Sequence, residues 1–499
     1  MKRWIAWLMT VATLLSAMLT VGAETAQGCA VTVNGQALTL AAGTTLGEGL
    51  AASGRQLVYA EVTKASGEAV TVTDPAYVPE DGDTVRAVGL AIEMESDAEV
   101  RQVLPSGVRF LTRVSLSDLA DLQADEQIQS VSFGTLIRPF DTLEEGEALT
   151  RSEGEVCLDV KVSAEHPYRT SATELFLAGS VVSVKEQNHS RRFAGRGYAE
   201  VTLTNGQTVT VYASGTLPVG AYGVLAAELL GDETVTLTDP AKEFFKDVAT
   251  TMYKTDLEGL DVLAIGDSLF DGDFLRGHEQ WIGILSRACD WDFTNLGHDG
   301  WTVAYNPEAY EDPTKVRQSM YDNLFNNPDY RYGKDGSYTR GDPYGKEGDA
   351  VDVILMEGGT NDFGWGIPLG EVDSRDGGTL LGAWNLMIEK LLVDYPNATI
   401  ILVTSWHREG TRASDGASRM DFVADGMKAI YEAHYKDNER IKLIDAGDPE
   451  LTGIKMAREM FRYQYSKSTK DYNHLNAEGM KMMADAMLPL LWETLCKVR

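Results

Sequence analysis

The sequence predicts an α/β chain with a C-terminal domain on a parallel sheet covered by helices on both faces, preceded by two smaller β-rich domains. Three observations carry this. Five short apolar runs follow Thr255 (Asp261 to Ile265, Asp292 to Leu296, Val351 to Met356, Thr399 to Thr404 and Ile441 to Ile444), most of them succeeded by a loop and a helix-period segment. Upstream of Thr255 the apolar residues alternate in short runs cut by turn signals such as Asn34-Gly35 and Asn205-Gly206. The length of 499 residues, at roughly 100 to 200 residues per domain, allows two to four domains.

Taken in order, residues 1–23 read as a secretory signal peptide. Met1-Lys2-Arg3 is followed by an apolar run from Trp4 to Gly22 and by the small residues of Val21-Gly22-Ala23 before Glu24. The protein is therefore expected to be secreted or held at the cell surface, with no membrane insertion after cleavage. Gly28-Cys29 lies too far from that apolar run to serve as a lipoprotein cleavage site. Residues 24–90 carry Val31-Thr32-Val33 before Asn34-Gly35, a helix over Thr45 to Ala52 and the strand Ala69 to Val72, which together suggest a small β-grasp-like domain. The string Gly47-Glu48-Gly49-Leu50-Ala51-Ala52 imitates a dinucleotide fingerprint but lacks a strand–helix–strand frame, so no dinucleotide is expected there. Residues 91–250 again read as strands and turns, most clearly in the alternating pair around Asn205-Gly206 from Tyr198 to Tyr212, and suggest an accessory β-sandwich-like domain. The α/β domain occupies residues 255–499.

Charge removes two classes of partner. With 75 acidic against 44 basic residues and a net charge of -31, the chain is not expected to bind nucleic acid or an anionic membrane surface. Its four cysteines, Cys29, Cys157, Cys289 and Cys496, are too sparse for a disulfide framework and have no C-x-x-C spacing, so no zinc site is expected. One or two disulfides stay open in an exported chain.

In open parallel sheets, ligands bind outside the carboxyl ends of the strands, so chemistry is sought just after each apolar run. The first run leads into Gly266-Asp267-Ser268, which sets the Ser268 hydroxyl at a strand end, where a neighbouring base would make it a nucleophile. Of seven histidines, His166 and His189 belong to the β region, and His278 and His434 lie in helical patterns that favour packing or surface roles. His407, with Glu409 as its nearest acid, ranks second. His474 ranks first because Asp471 stands three residues before it, and such a carboxylate can accept the Nδ1 proton and fix the tautomer. Acyl transfer also needs donors for the oxyanion. The second and third runs lead into Asn295 to Gly300 and Glu357 to Asp362, offering the Gly300 backbone and the Asn361 amide beside the Ser268 N–H. Asp362 is read as a residue that orients the Asn361 loop, and His298 as a packing or hydrogen-bonding residue.

Gly266-Asp267-Ser268-Leu269, Gly300 after Asn295, Gly359-Thr360-Asn361-Asp362 and Asp471-Tyr472-Asn473-His474 resemble, in order, the four blocks of the SGNH, or GDSL, hydrolases. The resemblance covers about residues 258 to 499. It implies a flavodoxin-like three-layer α/β/α fold with no metal and no organic cofactor. It also implies Ser268 as nucleophile, His474 as base, Asp471 as its orienting acid, and an oxyanion hole from Ser268, Gly300 and Asn361. No G-x-S-x-G elbow occurs in the chain, which disfavours the α/β-hydrolase route to the same chemistry.

A polar insert rich in Tyr and Asp runs from about Tyr305 to Gly348 and reads as a lid, a sugar-stacking rim or a solvated loop. Met480, Met483 and Met487 recur at helical spacing and read as the buried face of the last helix. Export, attached β-domains and the polar insert point to an acetylated glycan, or another ester, as substrate. The expected activity is a serine esterase that removes O-acetyl groups from polysaccharide or oligosaccharide. The alternatives are a lipase- or lysophospholipase-type esterase and, outside catalysis, a surface glycan-binding protein.

Overall fold

The computed structural model describes residues 29–151, 157–271, 279–305, 319–325, 350–406, 419–454 and 474–496. Residues 1–23, read above as a signal peptide, His278, His407, Asp471 and most of the polar insert lie outside the described residues. The chain divides into two compact units, Met1–Ala249 and Thr250–Arg499.

The first unit opens with a five-stranded mixed sheet. Strand β1 (Cys29–Val33) turns into β2 (Gln36–Leu40) through Asn34 and Gly35, whose φ angles of 46° and 78° are what this tight hairpin requires. Helix α1 (Leu46–Ala51) starts at Thr45, whose hydroxyl accepts the Glu48 N–H while the Glu48 carboxylate accepts the Thr45 N–H. Strands β3 (Gln56–Thr63), β4 (Ala69–Val72) and β5 (Thr84–Leu90) complete the order β2-β1-β5-β3-β4, with β1 and β5 parallel. Leu46 and Leu50 of the helix share one core with Val31, Val33, Ala60, Val62 and Val85 of the sheet, a β-grasp-like arrangement.

A two-sheet sandwich follows. One sheet joins β6 (Ile92–Met94), β7 (Glu99–Arg101), β8 (Gly107–Ser115), β11 (Arg169–Thr170) and β12 (Glu174–Val182). The other joins β9 (Ile128–Pro139), β10 (Leu158–Val162), β13 (Arg192–Leu203), β14 (Thr208–Tyr212) and β15 (Val219–Ala221). The sheets approach closely because glycines face bulky partners. A Cβ on Gly195 would lie 2.3 Å from the Phe110 ring, one on Gly197 2.0 Å from the Thr112 hydroxyl, and one on Gly179 2.2 Å from Thr135.

The second unit is a five-stranded parallel sheet of β16 (Asp261–Ile265), β17 (Asp292–Asn295), β18 (Val353–Met356), β19 (Thr399–Val403) and β20 (Ile441–Ile444). Its order is β17-β16-β18-β19-β20 with every pair parallel, the flavodoxin-like order 2-1-3-4-5. Helices α2 (Trp281–Ala288) and α3 (Ala477–Leu495) pack on each other. Helix α4 (Leu380–Asp394) packs on α5 (Met320–Phe325) and α6 (Arg419–Ile430). The crossover from β16 to β17 runs one way along the sheet and the later crossovers run the other, so right-handed connections put these two helix groups on opposite faces. Leu263, Ile265, Ile354, Met356, Ile400 and Leu402 form one core with Trp384, Met387, Ile388, Val423 and Met427. Val262, Leu355 and Ile401, of opposite parity, are buried too, as a sheet covered on both faces requires. Met480, Met483 and Met487 are fully buried on α3. Cys29 and Cys289 are buried free thiols. No helix among the described residues is long and apolar enough to cross a membrane.

The close sheet contact is testable. Gly195→Ala adds a methyl where the Phe110 ring already stands, and overpacking of this kind costs about 1–3 kcal/mol. A lowered thermal midpoint is expected by circular dichroism, and an unchanged midpoint would show that the sheets part freely.

Candidate active site

The order of the sheet reverses between β16 and β18, and at that switch point the loops after the two strands diverge and leave a crevice. Both loops carry candidate residues. After β16 the chain turns tightly, with the Phe270 N–H donating to the Asp267 carbonyl at 3.0 Å and the Leu269 N–H to the Asp267 carboxylate at 3.1 Å. Gly266 is required because the Phe270 ring stands 2.6 Å from where a Cβ would sit. This turn holds Ser268 at the strand end, 6% exposed, with its Oγ 2.9 Å from Nε2 of His474. That distance is within the range a base needs to activate a hydroxyl. His474 enters from the far end of the sequence, two residues before Asn476, whose side chain caps α3 by accepting the Gly479 N–H at 3.0 Å.

The loop after β17 is fastened to the first one. The Asn295 side chain donates to the Phe270 carbonyl and accepts the Gly297 N–H at 2.9 Å. The His298 N–H reaches the Gly266 carbonyl at 3.2 Å, and the Asp299 N–H reaches the Asp271 carboxylate at 3.2 Å. Gly300 follows with a φ of 80°, a left-handed conformation that favours glycine. After β18, Gly359 turns the chain at a φ of 109° into the short helix α7 (Thr360–Trp365). Asn361 donates its side-chain amide to the Trp301 carbonyl at 2.8 Å. Asp362, fully buried, accepts the N–H groups of Val303 at 2.8 Å and Ala304 at 2.9 Å.

The structure thus brings Ser268 and His474 into direct contact and ties Asn361 to the residue beside Gly300. Asp471 lies outside the described residues. His298 stacks on Trp301 with ring centroids 5.1 Å apart and bonds the Asp299 carbonyl. His189 is buried between the Val184 and Val248 carbonyls, and His434 reaches the Val372 carbonyl and Asp373. Sequence reasoning did not single out Asp271 or Trp365. The first was visible only as one more acid after Ser268. The second had a usable signal, since residues 361 and 365 are one turn apart on any helix.

Burial pushes Asp362 up to about 7, with the Asp267 charge adding to the shift and the Val303 and Ala304 N–H groups opposing it. A carboxyl whose pKa is higher folded than unfolded takes up a proton on folding between the two values, so its contribution to stability is present at low pH and lost as pH rises through about 7. Urea unfolding of the parent is expected to show stability falling between pH 5 and pH 8 more steeply than in Asp362→Asn. Equal slopes would mean that Asp362 titrates alike in both states.

Comparison with known proteins gives one family-model match and several similar structures. The model of the GDSL-like Lipase/Acylhydrolase family matches residues 264–482. No curated protein matches the chain at a significant level. Among solved structures, a possible lipase from Chitinophaga pinensis is 19% identical, with 47% of this chain and 98% of that chain covered and a TM-score of 0.31. A carbohydrate acetylesterase family member from Sinorhizobium meliloti is 17% identical, with coverages of 47% and 99% and a TM-score of 0.29. An active-site mutant of a family two carbohydrate esterase from Clostridium thermocellum is 11% identical, with coverages of 81% and 98% and a TM-score of 0.32. With the Gly266–Leu269 and Gly359–Asp362 blocks set at the ends of parallel strands and the family model matching residues 264–482, the C-terminal domain is similar to the GDSL-like lipase/acylhydrolase family.

Proposed function

We propose that the protein is a secreted serine esterase that removes O-acetyl groups from polysaccharide or oligosaccharide. The observation that carries the esterase reading is the 2.9 Å contact between Ser268 Oγ and His474 Nε2. In the first step Ser268 attacks the ester carbonyl while His474 takes the hydroxyl proton, and the carbonyl electrons move onto oxygen. Collapse of that intermediate breaks the ester bond, and the His474 proton goes to the leaving alcohol. Water then attacks the acetyl-Ser268 ester, with His474 again as base, releasing acetate and restoring the serine. Asp471 is assigned to hold the His474 tautomer. The Ser268 and Gly300 N–H groups and the Asn361 amide are assigned to the oxyanion. One hydrogen of the Asn361 amide is committed to the Trp301 carbonyl, and among the described residues no partner is seen for the other, which is assigned to substrate.

The glycan preference is supported by the export signal and by Trp365. This indole is 52% exposed, one turn beyond Asn361 on the same face of α7. An aromatic surface there can stack on a sugar ring while the acetyl group enters the crevice.

Ser268→Ala and His474→Ala are each expected to lower acetate release from acetylated xylan and hydrolysis of p-nitrophenyl acetate by about 10³-fold or more. Parent-like rates in Ser268→Ala would refute the mechanism, and faster turnover of long-chain than acetyl p-nitrophenyl esters would favour the lipase alternative. Trp365→Ala is expected to raise KM for acetylated xylan about tenfold, the loss of roughly one stacking contact, with p-nitrophenyl acetate hydrolysis unchanged. Equal losses on both substrates would remove the platform role.

A further inference from the structure

Gly300 has no side chain to hold its own orientation. Among the described residues no atom lies within 4 Å of where its Cβ would be, and its positive φ is one that glycine adopts without steric guidance. A donor has to hold its direction to be useful, because misplacement by about 1 Å costs on the order of a hundredfold in rate. The aim of the Gly300 N–H is therefore set by the chain on either side of it. Upstream, the His298 and Asp299 N–H groups are tied to the loop after β16. Downstream, the Met320 and Tyr321 N–H groups bond the Thr302 and Val303 carbonyls, and the side-chain hold comes from α7, with Asn361 on the Trp301 carbonyl and both oxygens of Asp362 on successive N–H groups of Val303 and Ala304.

Resting on the esterase reading above, we propose that Asp362 is a positioning residue that fixes the Gly300 turn in its donating orientation. Two adjacent backbone donors converge on one side chain, and only a carboxylate presents two acceptor oxygens in that geometry. Asparagine offers one acceptor and turns an amide N–H toward the second donor. Asp362 is fully buried, so neither backbone N–H can exchange it for water. The same helix carries Asn361 in the preceding position, so Asp362 registers the side-chain donor against the backbone donor.

The test is steady-state hydrolysis of p-nitrophenyl acetate by the full chain, with kcat expressed per folded molecule. Asp362→Asn is expected to lower kcat about 10- to 100-fold, short of or equal to the loss of one oxyanion donor, with KM within about twofold. In a double-mutant cycle with Gly300→Ala, the two losses are expected to be less than additive, because both loosen the same turn. A folded Asp362→Asn variant with kcat within threefold of the parent, a loss confined to KM, or full additivity with Gly300→Ala would overturn the proposal. If Asp362→Asn does not melt cooperatively, Asp362→Glu is judged by the same criteria, since it keeps two acceptor oxygens but moves them by one methylene. An inactive parent would overturn the esterase reading and this inference with it, whereas an active parent with an equally active variant overturns this inference alone.

Discussion

The reversal of strand order between β16 and β18 is the constraint on which the C-terminal domain depends. A parallel sheet whose connections all run one way packs its loops side by side, and no opening forms among them. Here β17 lies on one flank of β16, and β18, β19 and β20 follow on the other. The loops after β16 and β18 are therefore drawn apart at neighbouring strand ends. Ser268 stands on one side of the opening and Asn361 on the other, and the loop after β17 is free to fold across between them. His474 meets Ser268 there through a chain segment that no strand of the sheet provides.

Loops at strand ends have backbone N–H groups without ladder partners, and this domain satisfies several of them with carboxylates. Asp267 accepts the Leu269 N–H, Asp271 the Asp299 N–H, and Asp362 those of Val303 and Ala304. A carboxylate oxygen bonds an N–H about twice as strongly as a neutral acceptor, but burying it costs several kcal/mol unless its oxygens are used. Asp362 shows both effects, since its two backbone bonds oppose the shift that burial imposes. The acidic character of the chain therefore has a local counterpart. Some of its acids act as internal staples for irregular backbone and contribute nothing to the outer surface.

Much of this was legible in the sequence. The runs Asp261 to Ile265 and Ile441 to Ile444 are strands with those same bounds, and the first is legible because Val262 to Ile265, buried on both faces, forms a continuous apolar pattern. Asn34-Gly35 is a hairpin turn as its chemistry demands. The sequence also pairs Ser268 with His474, because Asp471 stands three residues before that imidazole. What local pattern does not encode is spatial order. Nothing in the apolar runs says that β16 lies between β17 and β18, and nothing beside Asp271 says that its partner is 28 residues away. The sandwich glycines were equally opaque. In a strand, Gly179, Gly195 and Gly197 read as breakers, and only the opposing sheet explains them. Trp365 needed its exposure to be known before its place on α7 had meaning.

The 206-residue separation of Ser268 and His474 has a consequence for the timing of the protein's life. Ser268 is synthesised early in the domain and His474 close to its end, after β20. A growing chain can build the sheet strand by strand while Ser268 Oγ still lacks its contact with His474 Nε2. On the proposed esterase reading, activity would therefore be completed only in a late step, when the segment bearing His474 docks beside Ser268.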